Sequence, residues 1–151
     1  MKPKVVKSGV FLEAYRRLSR HLTGLAESRP ELTVYLAGYL LEFRLKVAIC
    51  DAKDCDRLDV ANERINAAQP HGRNYDLLGR HGHDLDLLWQ LAGLDDLRKE
   101  HHNDLKLALE WDVAWRYQVP AGYRKARKEA AARRFLEAME RLCRAIAAEA
   151  K

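Results

Sequence analysis

Apolar residues recur at three- and four-residue steps through Phe11, Ala14, Tyr15, Leu18, Leu22 and Leu25, the spacing of one face of an α-helix. Ser8 and Gly9 supply its start, and Arg16, Arg17 and Arg20 fall off the stripe. Ser28-Arg29-Pro30-Glu31 predicts a second start, with a serine oxygen at the cap, proline in the first turn and Glu31 near the positive end of the helix dipole. From Val34 to Cys50 the chain is apolar nearly all round, which predicts the central, most buried helix. Within it Ala37-Gly38 leaves room for a close neighbour, and Glu42 and Lys46 stand i,i+4 and can pair.

Residues from about 51 to 82 break this regularity. They are polar, interrupted by Gln69-Pro70-His71-Gly72, and only Leu58, Val60 and Ile65 keep a partial helical period, so loops are expected, with Asp59 or Asn62 able to cap a short helix. His81-Gly82-His83-Asp84 then leads into Leu85, Leu87, Leu88, Leu91 and Leu94, a short helix capped by Asp84 or His83 and ended near Gly93. A further helix is predicted from about Asp95 to Trp115, its stripe Leu97, His101, Leu105, Ala108, Leu109, Asp112 and Trp115, with a break near Asn103. Pro120 biases Val119 away from helix, so 116–122 reads as an extended turn. The last helix, about Tyr123 to Ala150, places Phe135, Ala138, Met139, Leu142 and Ile146 on one face. Together these elements predict a single all-α domain over 1–151, an up-and-down bundle of four to five helices.

The chain's 151 residues fit one domain, and 48% hydrophobic residues suffice for its core. No run of about 18 uncharged apolar residues occurs, and the basic start lacks a following apolar region, so neither a membrane span nor a secretory signal is expected and the protein reads as cytoplasmic. Three cysteines, Cys50, Cys55 and Cys143, without a C-x-x-C pair argue against a disulfide framework or zinc finger and read as reduced thiols. The net charge of +5 is uneven: residues 1–29 and 121–151 are basic, whereas 30–120 are acidic. The densest basic run, Arg124, Lys125, Arg127, Lys128, Arg133 and Arg134, can attract phosphate groups or form a solvated helix face.

Three segments then stand out in order: Tyr35-Leu36-Ala37-Gly38-Tyr39-Leu40-Leu41-Glu42-Phe43-Arg44-Leu45-Lys46, Gly82-His83-Asp84-Leu85 ahead of Leu87-Leu88, and Trp115-Arg116-Tyr117 with Pro120 before the last helix. Over roughly 28–148 the chain thereby resembles the HEPN family of prokaryotic helical domains. The resemblance implies a HEPN-like up-and-down bundle that often forms homodimers, and an association with toxin-antitoxin, phage-defence and nucleotide-handling systems. Many HEPN proteins are metal-independent ribonucleases with an arginine, four to six residues and a histidine, the arginine usually followed by a polar residue. The chemistry explains that pair: attack by the RNA 2′-hydroxyl needs an acid or base near pH 7 and a fixed cation against the charge building on phosphate.

Here that spacing occurs from Arg16 to His21 and from Arg64 to His71, about the number expected by chance for six histidines in an arginine-rich chain, and without the family's polar follower. Arg73-Asn74 has the follower but is one residue too far from His81. The chain resembles more closely the branch with His-Asp-Leu before its third helix and Arg-Tyr before its last, for which nuclease activity is not the default. The resemblance therefore carries over the fold and not the catalysis.

His81, His83, Asp84 and Asp86 can be read as metal ligands or, better, as a helix cap and its neighbours, so neither a metal site nor another cofactor is expected. Trp89, Trp111 and Trp115 can stack bases or fill the core. Arg116 and Tyr117, ahead of a basic helix start, form a corner for an anion, although Arg116 can instead pair with Glu42 or Asp84. The expected function is RNA or nucleotide binding through Arg116, Tyr117, Arg124, Lys125, Arg127 and Lys128. A second expectation is a homodimeric endoribonuclease using Arg73, Arg80, His81 and His83, and a third is a helical partner of a separate nucleotidyltransferase or other effector protein.

Overall fold

A computed structural model of the chain describes residues 5–70, 72–116 and 128–149, with the backbone alone at Arg116 and Lys128. Three long helices organise it: α1 (Ser8–Ser28), α2 (Pro30–Ala52) and α7 (Lys128–Glu149). Between α2 and α7 the chain forms α3 (Leu58–Ala67), α4 (Leu85–Leu91), α5 (Asp95–Glu100), α6 (His102–Ala108) and a 3-10 turn at Val113–Arg116. Helix α2 packs against α1, α7, α3, α4 and the 3-10 turn, while α6 lies against α7. The architecture is an all-α helical bundle; apart from one bridge between Lys7 and Arg57, no strand pairing occurs among the described residues.

The apolar pattern explains the centre. Val34, Ala37, Leu40, Leu41, Leu45, Ile49 and Cys50 lose all solvent contact because neighbours surround α2. Helix α7 turns Phe135, Ala138, Met139, Leu142 and Ile146 into the same core, as their spacing predicts. Gly38 admits the Trp111 indole so closely that a Cβ there would overlap the ring. All three tryptophans are buried, Trp89 completely, so they belong to the core.

Several local expectations change. Ser28 does not cap α2: it is the last residue of α1, and the single linking residue Arg29 occupies the cap position without a side-chain bond. Arg29 instead closes both helices through its backbone, donating to the Leu25 carbonyl and accepting from the Thr33 N–H and hydroxyl. The long helix expected over 95–115 breaks at His101 into α5 and α6, and ends at Ala108. Leu109 and Asp112 are consequently exposed, off the apolar stripe.

The region expected to be irregular contains α3 and is pinned to it. The Asn66 side chain donates to the Tyr75 carbonyl at 2.9 Å and accepts from its N–H at 2.7 Å, while Asn62 accepts from the Leu77 N–H at 3.0 Å. Leu77 is thereby driven into the core. Neither Asp59 nor Asn62 caps α3, whose cap residue is Arg57; Asp59 pairs with Arg57 and Asn62 is spent on the loop.

Candidate functional site

The second helix buries a carboxylate. Glu42 retains only 2% of its exposure, and an isolated charge in that position would be costly, so the fold supplies two partners. Lys46, one turn on, donates to Oε1 at 2.6 Å and is itself 7% exposed; its ammonium lies 5.3 Å from the centre of the Phe11 ring. His83 places Nδ1 2.8 Å from Oε2. The i,i+4 pairing is as the spacing implies, while the histidine arrives across 41 residues of sequence.

What brings His83 there is the start of α4. Asp84 accepts from the Leu87 N–H at 3.0 Å, the expected cap, and so fixes the direction of the residue before it. Gly82 is buried, and a Cβ there would run into the Leu77 carbonyl, which excludes a side chain. Beyond it, the Tyr39 ring meets His83 edge-on at 6.1 Å and Trp111 at 5.1 Å, and the Trp111 indole donates to the Tyr35 carbonyl at 2.9 Å. These contacts clamp the imidazole between α2 and the loop.

An ionised carboxylate only accepts, so in the neutral imidazole the proton is on Nδ1 and Nε2 is the basic nitrogen. The His83 side chain is 46% exposed and lines an open groove of about 510 Å³ together with Arg80, Leu85, Trp111, Asp112 and Val113. Asp84 and Asp86 share this rim, each with its own partner: Asp84 caps α4, and Asp86 binds Arg98 at 2.7 Å. The arrangement is a histidine oriented by a buried carboxylate, with an arginine on the same groove. That combination can hold an anionic ester and exchange a proton with it.

The other predicted residues scatter. His81 turns Nδ1 to accept from the Asp76 N–H at 2.8 Å and stacks edge-on with Tyr75, so it shapes the loop and is not in the groove. Arg73 is exposed and does not line the groove. Arg64 donates to the Lys53 and Asp54 carbonyls, Arg16 and His21 are both exposed on α1, and His71 lies outside the described residues. Arg116 ends the 3-10 turn and Lys128 begins α7, whereas Tyr117, Arg124, Lys125 and Arg127 lie outside the described residues. The two oxygens of Glu42 are met by Lys46 and His83, and Asp84 is a helix cap; the Arg116 side chain, considered as a partner of either carboxylate, lies outside the described residues.

Within the basic run, Arg133 is committed to Glu27 at 2.6 Å and Glu129 at 3.3 Å. Among the described residues no three metal-ligating side chains converge, and no helix is long and apolar enough to cross a membrane. Sequence reasoning named His83 and Arg80 but missed Glu42 and Lys46 as the support of the histidine. The available signal was a charged i,i+4 pair inside the most apolar helix. Comparison of the chain with protein-family models, with curated proteins and with solved structures finds no match.

Proposed function

We propose that this chain is a HEPN-like helical module that binds RNA or a nucleotide, with a phosphate held at the Arg80–His83 corner of the groove. The observation that supports it is the imidazole anchored by buried Glu42 at 2.8 Å beside an exposed arginine on one groove. Arginine matches phosphate oxygens in charge and geometry, and a fixed imidazole adds a second donor when protonated. The carboxylates of Asp84, Asp86 and Asp112 confine an anion to that corner, so few phosphates are contacted and the salt dependence is shallow. Binding of a labelled single-stranded RNA oligonucleotide in EDTA, at several salt concentrations, tests this. Arg80→Ala weakens affinity about tenfold and flattens the salt slope by about one contact; unchanged affinity and slope return the contact to the basic C-terminal run.

A second reading, a metal-independent endoribonuclease, draws on the carboxylate behind the imidazole, because a histidine with Nδ1 anchored presents Nε2 as acid or base. Glu42 would then be a positioning residue. End-labelled RNA incubated in excess EDTA, beside a charge-matched inert protein, is cleaved in proportion to wild-type protein and not by His83→Ala; intact RNA leaves binding alone.

A further inference from the structure

The end of α2 brings two of the three cysteines together. The Cys55 N–H donates to the Cys50 carbonyl at 3.0 Å and the Asp54 N–H to the Asp51 carbonyl at 3.1 Å, with Asp54 in the left-handed region at φ 51°. This pair of bonds around a left-handed residue is a Schellman cap, in which the side chains three from the helix end and two beyond it meet in what is ordinarily an apolar contact. In this chain those two positions are Cys50 and Cys55. The turn is also braced from outside, since the Arg64 guanidinium donates to the Lys53 and Asp54 carbonyls. The backbone hydrogen bonds of the cap thus bring the two side chains together before any reaction, within reach of a hydrogen bond between the thiols.

We infer that Cys50 and Cys55 form an oxidisable dithiol at the C-terminal cap of α2, closed to an intramolecular disulfide by a hydroperoxide. Cys55 reacts first. It is half-buried and its thiol points toward the Arg57 carbonyl at 3.4 Å, whereas Cys50 is fully buried and its thiol is pushed up to about 12 by burial and by Cys55. The Cys55 sulfur, having lost its proton, attacks the terminal peroxide oxygen; the O–O bond breaks, an alcohol or water leaves, and Cys55 becomes a sulfenic acid, oxidised by two electrons. The Cys50 sulfur then attacks the Cys55 sulfur, the S–O bond breaks, and the departing hydroxide takes the Cys50 proton as water. Two thiols and one hydroperoxide give one disulfide, one alcohol or water, and one water. Cys143, fully buried on α7, is the internal control.

The full folded chain is treated with hydrogen peroxide, denatured without reductant, alkylated and digested with trypsin. Because Lys53 lies between the cysteines, the expected product is the 47–53 peptide joined to the 54–57 peptide, two hydrogens lighter than their sum, with Cys143 alkylated. Cys50→Ser, which keeps the size of the side chain, loses the linked peptide and accumulates sulfinic acid at Cys55. The same peroxide treatment in denaturant forms the link severalfold more slowly, since the cap is gone. Alkylated Cys50 beside overoxidised Cys55 in the folded wild type, or equal rates folded and unfolded, would overturn the inference.

Discussion

Two ion pairs tie distant parts of this molecule together, and they differ in surroundings more than in geometry. Asp104 on α6 takes both Arg141 donors of α7 at 2.9 Å, a two-pronged match, but the Arg141 side chain is 47% exposed. Glu42 is met by single bonds from Lys46 and His83, yet retains 2% of its exposure. Water already satisfies most of what the first pair offers, while the second has no such alternative. Burial, and not the count of bonds, decides which pair the fold depends on.

The largest test of that difference is Glu42→Ala, which leaves the Lys46 ammonium buried without its carboxylate and is expected to cost about 3–5 kcal/mol in urea unfolding. Glu42→Leu combined with Lys46→Met removes both charges and recovers most of the loss; an equal loss in the double variant would show that the site depends on its charges as such. Gly38→Ala reaches the same region through packing. The new methyl must displace the Trp111 indole, with an expected loss of about 1–3 kcal/mol and a changed tryptophan fluorescence spectrum.

The smallest effect is expected at the exposed pair, where Asp104→Asn loses about 0.2–1 kcal/mol at neutral pH. Its pH dependence carries the sharper information. Hydrogen bonds from Arg141 hold the Asp104 carboxyl below its ordinary value, so its stabilisation is present above about pH 4 and is lost as pH falls through the folded-state value. The stability curves of wild type and Asp104→Asn therefore converge on acidification. Parallel curves down to low pH would assign the difference to shape instead of charge.

The three long helices were legible because the apolar stripes of α1 and α7 match the faces they bury and α2 is apolar nearly all round, and Asp84 was legible as a cap because its role is local. The pinned segment 72–84 was not. Its order comes from Asn62 and Asn66 capturing backbone groups 9–15 residues away, and polar side chains of that kind read equally well as solvated loop. The break at His101 was also displaced from the expected position, since the local pattern on either side is helical and only packing on α7 distinguishes the two short pieces.

Of the candidate site, the sequence alone determined the Glu42–Lys46 pairing and the cap that orients His83, because each depends on a fixed spacing along one helix or turn. Tertiary structure alone decided that His83, and not His81, meets Glu42, and that Arg80 shares its groove. Such contacts join residues far apart in sequence, and the cost of an unpaired buried carboxylate appears only once the surrounding helices exclude water from it.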